Sequence, residues 1–271
     1  MKTICDHSIV HPKLLDFMVE HEGRFPDAPP EPHLSVIWQH VLADMDAADR
    51  ILVNSNLVME SCRFMGIPEE KLRVIYLGVD EAFFATLPKR RAYGTSTKRL
   101  LFAGHFGYRK GADTLLDALP LLEATGWELR VAGVISPELE GPLRKALAHL
   151  PIHRLGNLTR AQLAAEMSAT DIFVFPSLAE GSARVVFEAL AAGCAVVTTP
   201  NAGSIVEDGK QGRIIAPGDA AALARALGEL VARDDLEAIG AANAQLIRSR
   251  YRQRDYGDAL DRLYRDVTVD G

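Results

Sequence analysis

Cysteine is scarce in this 271-residue chain, which holds only Cys5, Cys62 and Cys194. The number is odd, the spacings are wide and no CxxC pair occurs, so neither a zinc framework nor a set of disulfide staples is expected. Cys194 stands in an apolar run, where it packs as a small hydrophobe, and a reducing compartment suits all three. A basic excess is also missing. Lys+Arg total 30 against 36 Asp+Glu, a formal net charge of −6, which argues against an extended nucleic-acid footprint, since that needs a clustered basic face. A local basic pocket for one phosphorylated small molecule remains open. No apolar run approaches the ~20 residues of a membrane-spanning helix. Met1–His7 lacks the long apolar stretch of a signal peptide, so a cytoplasmic protein is expected. GxGxxG and P-loop patterns are absent, and Ser177 and Ser182 lack the nucleophile-elbow pattern. His21-Glu22 has no second His to complete a metalloprotease motif, and the Asp44-Met45-Asp46 pair sits inside a helical pattern as a solvated face.

What is present is an ordinary globular balance, 48% apolar and 24% charged, at a length that suits about two domains. The second half reads most clearly. Apolar runs at Arg99–Ala103, Trp127–Ala132, Ile152–Leu155, Asp171–Phe175, Cys194–Thr199 and Arg213–Ile215 read as strands. They alternate with helical patterns at Leu115–Leu122, Leu143–Leu150, Thr159–Ala169, Val185–Ala192, Ala220–Ala232, Leu236–Arg250 and Arg252–Val267. Thr159 suits a helix N-cap and Gly193 a helix stop. Strands apolar on both faces, alternating with helices, predict an α/β fold with a doubly wound parallel sheet. In the first half Leu14–Val19, Leu34–Ala48 and Ser55–Met65 look helical, Arg50–Asn54 and Arg73–Leu77 extended, and Glu22–Pro32, with four prolines, a loop. The resulting division is a partial domain over 1–77, a linker over 78–98 carrying Lys89-Arg90-Arg91, a second domain over 99–251, and a last helix over 252–271.

Ligands of doubly wound sheets sit beyond the carboxyl ends of the strands, often at helix N-termini. The strand-to-helix loops are therefore the places to look. Gly104-His105-Phe106-Gly107-Tyr108-Arg109-Lys110-Gly111 combines glycines that admit a ligand to the backbone with two cations suited to phosphate; a solvated basic turn has the same local pattern. Pro176–Glu188 carries Glu180 and Glu188 eight positions apart. Chance alone gives about five acidic pairs at that spacing in such a composition. The context says more: the pair brackets a Gly-Ser helix start after an apolar strand, and an unpaired carboxylate in the apolar helix would be costly. Glu188 is either exposed, or binds donors such as sugar hydroxyls, or caps nearby amides. His7 and His11, beside Asp6, are candidate acid/base or metal groups, although the residues alone favour the polar loop of a chain start.

Taken together, Leu101–Gly111, Asp171–Glu188 with its E-x7-E, Glu188–Asp208, and Asp49–Asp80 resemble glycosyltransferase family 4 of the GT-B superfamily. Ala48–Ser55 matches that family's "AD-x-(I/V)-x-V-x-S" phrase at the junction of its two domains, and the resemblance runs from about Cys5 to Tyr264. It implies two facing Rossmann-like domains, the second complete and the first partial, with the last helix crossing back onto the first. It implies a retaining transferase of polysaccharide biosynthesis that uses a nucleotide-diphosphate sugar and needs no metal and no further cofactor. Arg109 and Lys110 match the residues that meet the donor diphosphate and Glu188 the carboxylate on the ribose hydroxyls. Glu180 matches the carboxylate near the transferred sugar; with Arg109 and Lys110 it makes the expected catalytic set. Gly104, the Gly156–Leu158 loop beside the base, and the amides of Gly181, Ser182, Ala183 and Val185 complete the donor site. His7 and His11 match the acceptor side, which would take a glycan or lipid-linked acceptor, at the inner face of a membrane if the acceptor is a lipid. Two features depart from the pattern. His105 stands where many relatives carry Arg, and residues 1–77 are few for such a domain, lacking its first glycine-rich βα unit. The short acceptor side would favour self-association and low activity. Two other readings stand beside the transferase: a non-catalytic nucleotide-sugar-binding fragment, and a GT-B epimerase or phosphorylase, which the lack of a pyridoxal-phosphate lysine pattern disfavours.

Overall fold

The computed structural model describes residues 2–90 and 97–269; Arg91 and the rest of the linker to residue 96 lie outside them. Two parallel sheets organise the chain. The first contains β1 (Ile4–His7), β2 (Arg50–Val53) and β3 (Leu72–Val74), side by side in that order. Helices α1 (Pro12–Glu20) and α2 (Val36–Ala47) connect β1 to β2, and α3 (Asn56–Phe64) connects β2 to β3. After α4 (Glu81–Thr86), the second sheet takes β4 (Lys98–Ala103), β5 (Trp127–Ala132), β6 (Ile152–Gly156), β7 (Ile172–Phe175), β8 (Ala195–Thr198) and β9 (Gly212–Ile214). Its helices are α5 (Ala112–Ala118), α6 (Pro137–Leu147), α7 (Arg160–Ser168), α8 (Arg184–Ala191), α9 (Ala220–Val231) and α10 (Leu236–Arg250), and α11 (Gln253–Val269) ends the fold.

The spatial order β6-β5-β4-β7-β8-β9 reverses its winding between β4 and β7. That reversal is the switch point at which doubly wound sheets bind ligands. The local reasons are in the sequence. Ile-Phe-Val-Phe of β7 and Ala-Val-Val-Thr of β8 are buried at every position, as strands covered on both faces must be. Thr159 opens α7 with a reciprocal cap: its hydroxyl accepts from the Gln162 amide, and the Gln162 side chain returns to the Thr159 N–H. Gly111 enters α5 at φ +67°, where a Cβ would lie 2.0 Å from the Pro176 carbonyl, so only glycine fits.

Several boundaries differ from the sequence reading. The Asp6–Pro12 stretch is not a loop at its start: β1 runs to His7 and pairs His7 with Val53. The linker is structured over α4, whose N-cap Asp80 accepts from the Ala82 amide at 2.6 Å; Phe83 is fully buried in the core of the second sheet, and β4 already starts at Lys98. Helix α6 begins at Pro137 rather than Leu143, because proline is at home in a first turn. Helix α5 gives way after Ala118 to a 3-10 turn over Leu119–Leu121, where Pro120 lacks the N–H to continue it.

The larger core surrounds the second sheet. Smaller clusters hold the first, and one of them, with Val10, Leu14, Met18 and Leu57, includes Ala179 of the second unit. Leu263 and Val267 of helix α11 cluster with Leu52 of β2. The three cysteines are free. Helix α2 leaves Val36 and Ile37 66% and 73% exposed. Among the described residues no helix is long and apolar enough to cross a membrane.

Candidate active site

Two loops leave the switch point and lie against each other, one after β4 and one after β7. Glu180, buried in the second, joins them. Its Oε1 accepts from Arg109 Nη1 at 2.8 Å, from the Lys110 ammonium and from the Ser177 hydroxyl at 3.2 Å. No hydrogen bond to its Oε2 comes from the described residues. Arg109 also donates to the Ala179 carbonyl at 3.0 Å, while the Arg109 carbonyl accepts from the Leu178 amide and the Ser177 hydroxyl, both at 2.9 Å. Burial draws the Lys110 pKa down, and the Glu180 carboxylate opposes that. The structure thus gathers all three residues expected to be catalytic into one ion cluster. Chemically this is a cationic pair held in place by a carboxylate that keeps one oxygen for a further donor.

The Glu180 loop runs directly into α8. The first N–H groups of a helix have no intrahelical acceptor and carry its positive dipole end. Of the amides expected to face a ligand, Ala183 is a correction: its N–H donates to the Ala202 carbonyl at 2.9 Å. The Ser182 N–H has no partner among the described residues, and its buried hydroxyl oxygen also lacks one. Val185 is half-buried against the core.

Glu188 lies on α8 one turn beyond Arg184 and is half-buried. Burial raises its pKa; the Arg184 and Arg160 charges pull it back and Asp80 adds to the rise. Arg160 is itself paired to Asp80 at 2.9 Å, and among the described residues no hydrogen bond or ion pair reaches the Glu188 carboxylate. It is an acceptor without a donor among the described residues, within electrostatic reach of Arg160 at the start of α7. Before α7, Gly156 ends β6 at φ +67° with open space where a Cβ would stand, and Leu158 in the following loop is half-buried on the core. Gly104 is exposed after β4 at φ +138°. His105 shares a hydrogen bond with the Ser136 hydroxyl at 2.7 Å, tying the β4 loop to the β5 loop.

On the first unit, His7 closes β1 and is buried, with its Nε2 unpartnered and its pKa lowered by desolvation. The His11 ring is the N-cap of α1, its Nδ1 accepting from the Lys13 amide at 3.3 Å. Burial, then His7 and Lys13, push its pKa down to about 4. Among the described residues neither imidazole bonds to the second unit. Ser8, between them, meets it through its backbone carbonyl.

Sequence reading missed the residues that join the units. The Ser55 hydroxyl donates to the Gly181 carbonyl at 2.5 Å, the Asn54 carboxamide to the Ser8 carbonyl at 3.0 Å, and the Asn201 carboxamide to the Gly23 and Leu178 carbonyls at 2.6 and 2.8 Å. Ala48–Ser55 and Glu188–Asp208 already contained these side chains. Their acceptors, up to 178 positions away, were not legible. Among the described residues no cluster of three or more His, Cys, Asp or Glu is arranged to hold a metal ion; Asp44 and Asp46 are exposed on α2.

Comparison with known proteins fits this architecture. The chain is 32% identical over 201 residues to the phosphatidyl-myo-inositol mannosyltransferase of Mycobacterium leprae, covering 72% of this chain and 53% of that protein. It is 31% identical over 260 residues to the D-inositol 3-phosphate glycosyltransferase of Streptomyces scabiei, covering 87% and 58%. It therefore spans a little over half the length of these curated relatives. Among solved structures, the sucrose-phosphate synthase of Thermosynechococcus elongatus superposes with a TM-score of 0.78 at 19% identity, over 99% of this chain and 68% of that one. The Anabaena protein HepE, solved in complex with UDP and glucose, gives 0.70 at 19% identity over 86% and 68%. These likenesses show a GT-B arrangement of Rossmann-like sheets. Residues 97–233 match the family model described as glycosyl transferases group 1, and the chain belongs to that family.

Proposed function

We propose that the chain is the donor-binding part of a retaining glycosyltransferase, which takes a nucleotide-diphosphate sugar at the switch point and transfers the sugar to a glycan or lipid-linked acceptor without a metal. The observation that carries this is the convergence of Arg109, Lys110 and Glu180 just before α8, beside the unpartnered hydroxyl of Ser182, with the carboxylate of Glu188, which has no donor among the described residues, further along the helix. The Anabaena neighbour solved with UDP and glucose supports a nucleotide-sugar donor. The name of the Mycobacterium leprae relative supports a lipid-linked acceptor.

In this reading the bond between the anomeric carbon and the diphosphate breaks, and its electron pair leaves on the phosphate oxygen. The acceptor hydroxyl oxygen bonds to the anomeric carbon and its proton passes to the departing diphosphate oxygen. Negative charge grows on the leaving diphosphate, and in this reading Arg109, Lys110 and the α8 N-terminus stabilise it. Glu188 accepts from the ribose hydroxyls. Glu180 keeps Oε1 on the two cations and offers Oε2 to the sugar. His7 stands on the acceptor side.

The test is turnover with UDP-, GDP- and ADP-sugars and glycan or polyprenyl-phosphate acceptors, read as release of nucleoside diphosphate. Acceptor-dependent release with one donor, lost in Lys110→Ala, is expected. Donor binding without any release would instead favour the binding-module reading.

A further inference from the structure

We infer that Ser55, on the opposite unit, is a positioning residue for the donor loop: through the Gly181 carbonyl it sets the direction of the Ser182 amide. The inference rests on the donor-site reading above.

Ser55 is fully buried just after β2. Its hydroxyl does two things at once. It accepts from the Val58 amide at 3.2 Å, capping α3, and donates to the Gly181 carbonyl at 2.5 Å. Gly181 is confined on its other sides. A Cβ there would lie 1.7 Å from the Ser8 carbonyl oxygen, and the Asn54 carboxamide that binds this oxygen would be 3.0 Å away. The Gly181 carbonyl lies so close to Gly203 that a Cβ on Gly203, at φ +59°, would be 1.9 Å from it.

The Gly181 carbonyl and the Ser182 N–H belong to one planar peptide unit. No cis peptide occurs among the described residues, so the two groups point in opposite directions. Fixing the carbonyl on Ser55 therefore fixes the Ser182 N–H on the far side. Among the described residues the buried Ser182 hydroxyl is without a partner, and no hydrogen bond from the Ser182 N–H is made. An orphaned hydroxyl on the residue next to that carbonyl is a cost that a bound oxygen-rich ligand removes. Ser55 thus lets the first unit, which carries the acceptor-side residues, hold a donor contact of the second.

The experiment is calorimetric titration of the full chain with UDP, GDP and ADP, paired with thermal unfolding. Four proteins are compared: wild type, Ser55→Ala, Ser55→Thr and Ser61→Ala. Ser61 is the structural control, since its buried hydroxyl bonds the His11 amide and the Val58 carbonyl within the same unit but does not touch Gly181. Loss of one aimed hydrogen bond should weaken the preferred nucleotide about three- to tenfold in Ser55→Ala, with recovery in Ser55→Thr. Ser61→Ala should lose thermal stability and keep its affinity. If Ser55→Ala does not fold, Ser55→Cys, with its weak donor, takes its place and should show the same loss. Binding by wild type with no loss in the folded Ser55 variant, or an equal loss in Ser61→Ala, overturns the assignment of Ser55 alone. Absence of binding by wild type overturns the donor-site reading and the inference with it.

Discussion

Glu188 carries opposite consequences for stability and for binding. Its pKa is raised on folding because burial disfavours the anion. A carboxyl with a raised folded pKa stabilises the fold below its unfolded pKa and loses that contribution as pH rises through the folded value. At neutral pH the ionised group therefore costs stability, and Glu188→Gln should raise the melting temperature there, with the gain shrinking in acid. The same variant should weaken nucleoside diphosphate binding, since each charge-assisted bond to a ribose hydroxyl contributes roughly 1.5–3 kcal/mol. Glu180→Gln should differ. It removes the carboxylate that neutralises Arg109 and Lys110, so affinity for the free nucleotide should hold or rise. Titrating both variants checks this, and equal losses would contradict the division of roles. His11 gives a second residue-scale expectation. Its Nδ1 must stay unprotonated to accept from Lys13, and its pKa falls to about 4 from 6.5. The unfolded chain then binds a proton that the folded chain refuses, so stability should decline as pH drops from 6.5 toward 4. His7 adds in the same direction. In His11→Asn, which can still cap α1, denaturation midpoints should fall less steeply over that window.

Glycine placement shows at the element scale which contacts are rigid. Gly181 and Gly203 have no room for a Cβ, and the obstructing atoms belong to backbone. Gly181→Ala should cost about 1–3 kcal/mol as an overpacked site and weaken nucleotide binding, because the loop that carries Glu180 must shift. Gly141, inside α6, meets nothing within 4 Å, and Gly141→Ala should stabilise by about 0.5–1 kcal/mol. Chemical denaturation distinguishes the two signs. Elements of the second sheet were the most legible in the sequence, since β7 and β8 are apolar at all but one position and buried at every one, a pattern that needs no partner information. β1 was not legible: Ile4-Cys5-Asp6-His7 has no alternation or apolar run, and it is a strand because β2 pairs with it. The same limit applied to α4, where Phe83 anchors a short helix only because the core of the second sheet receives it. In the site, Arg109, Lys110 and Glu180 could be singled out by their loops, while the ion cluster they form, the loss of the Ala183 amide to Ala202, and the grips of Ser55 and Asn201 depend on tertiary neighbours.

At the scale of the whole molecule the two units are unequal. The second sheet has a large continuous core, whereas the first has small clusters completed by Ala179 and by α11. Local opening follows such differences in buried apolar contact. Amide hydrogen exchange should therefore be faster over β1–β3 and α1–α3 than over β4, β5, β7 and β8, and trypsin should cut first within residues 2–76. Helix α2, with Val36 and Ile37 in solvent, should be among the fastest segments. Uniform protection across both sheets would show that the first unit is sturdier than its clusters imply. Bound nucleotide should slow exchange around Arg109–Gly111 and Glu180–Val185 in the second unit and, through Ser55, at the start of α3 in the first.

The central claim is that a nucleoside diphosphate is held at the switch point by Arg109 and Lys110 on its phosphates and Glu188 on its ribose. It is tested most directly by calorimetric titration of UDP, GDP and ADP into the full chain and into Lys110→Ala and Glu188→Gln. The account predicts that one of the three nucleotides binds wild type and that each substitution weakens it about tenfold or more while the variant remains folded. Absence of binding by all three in folded protein, or unchanged affinity in both variants, would contradict it.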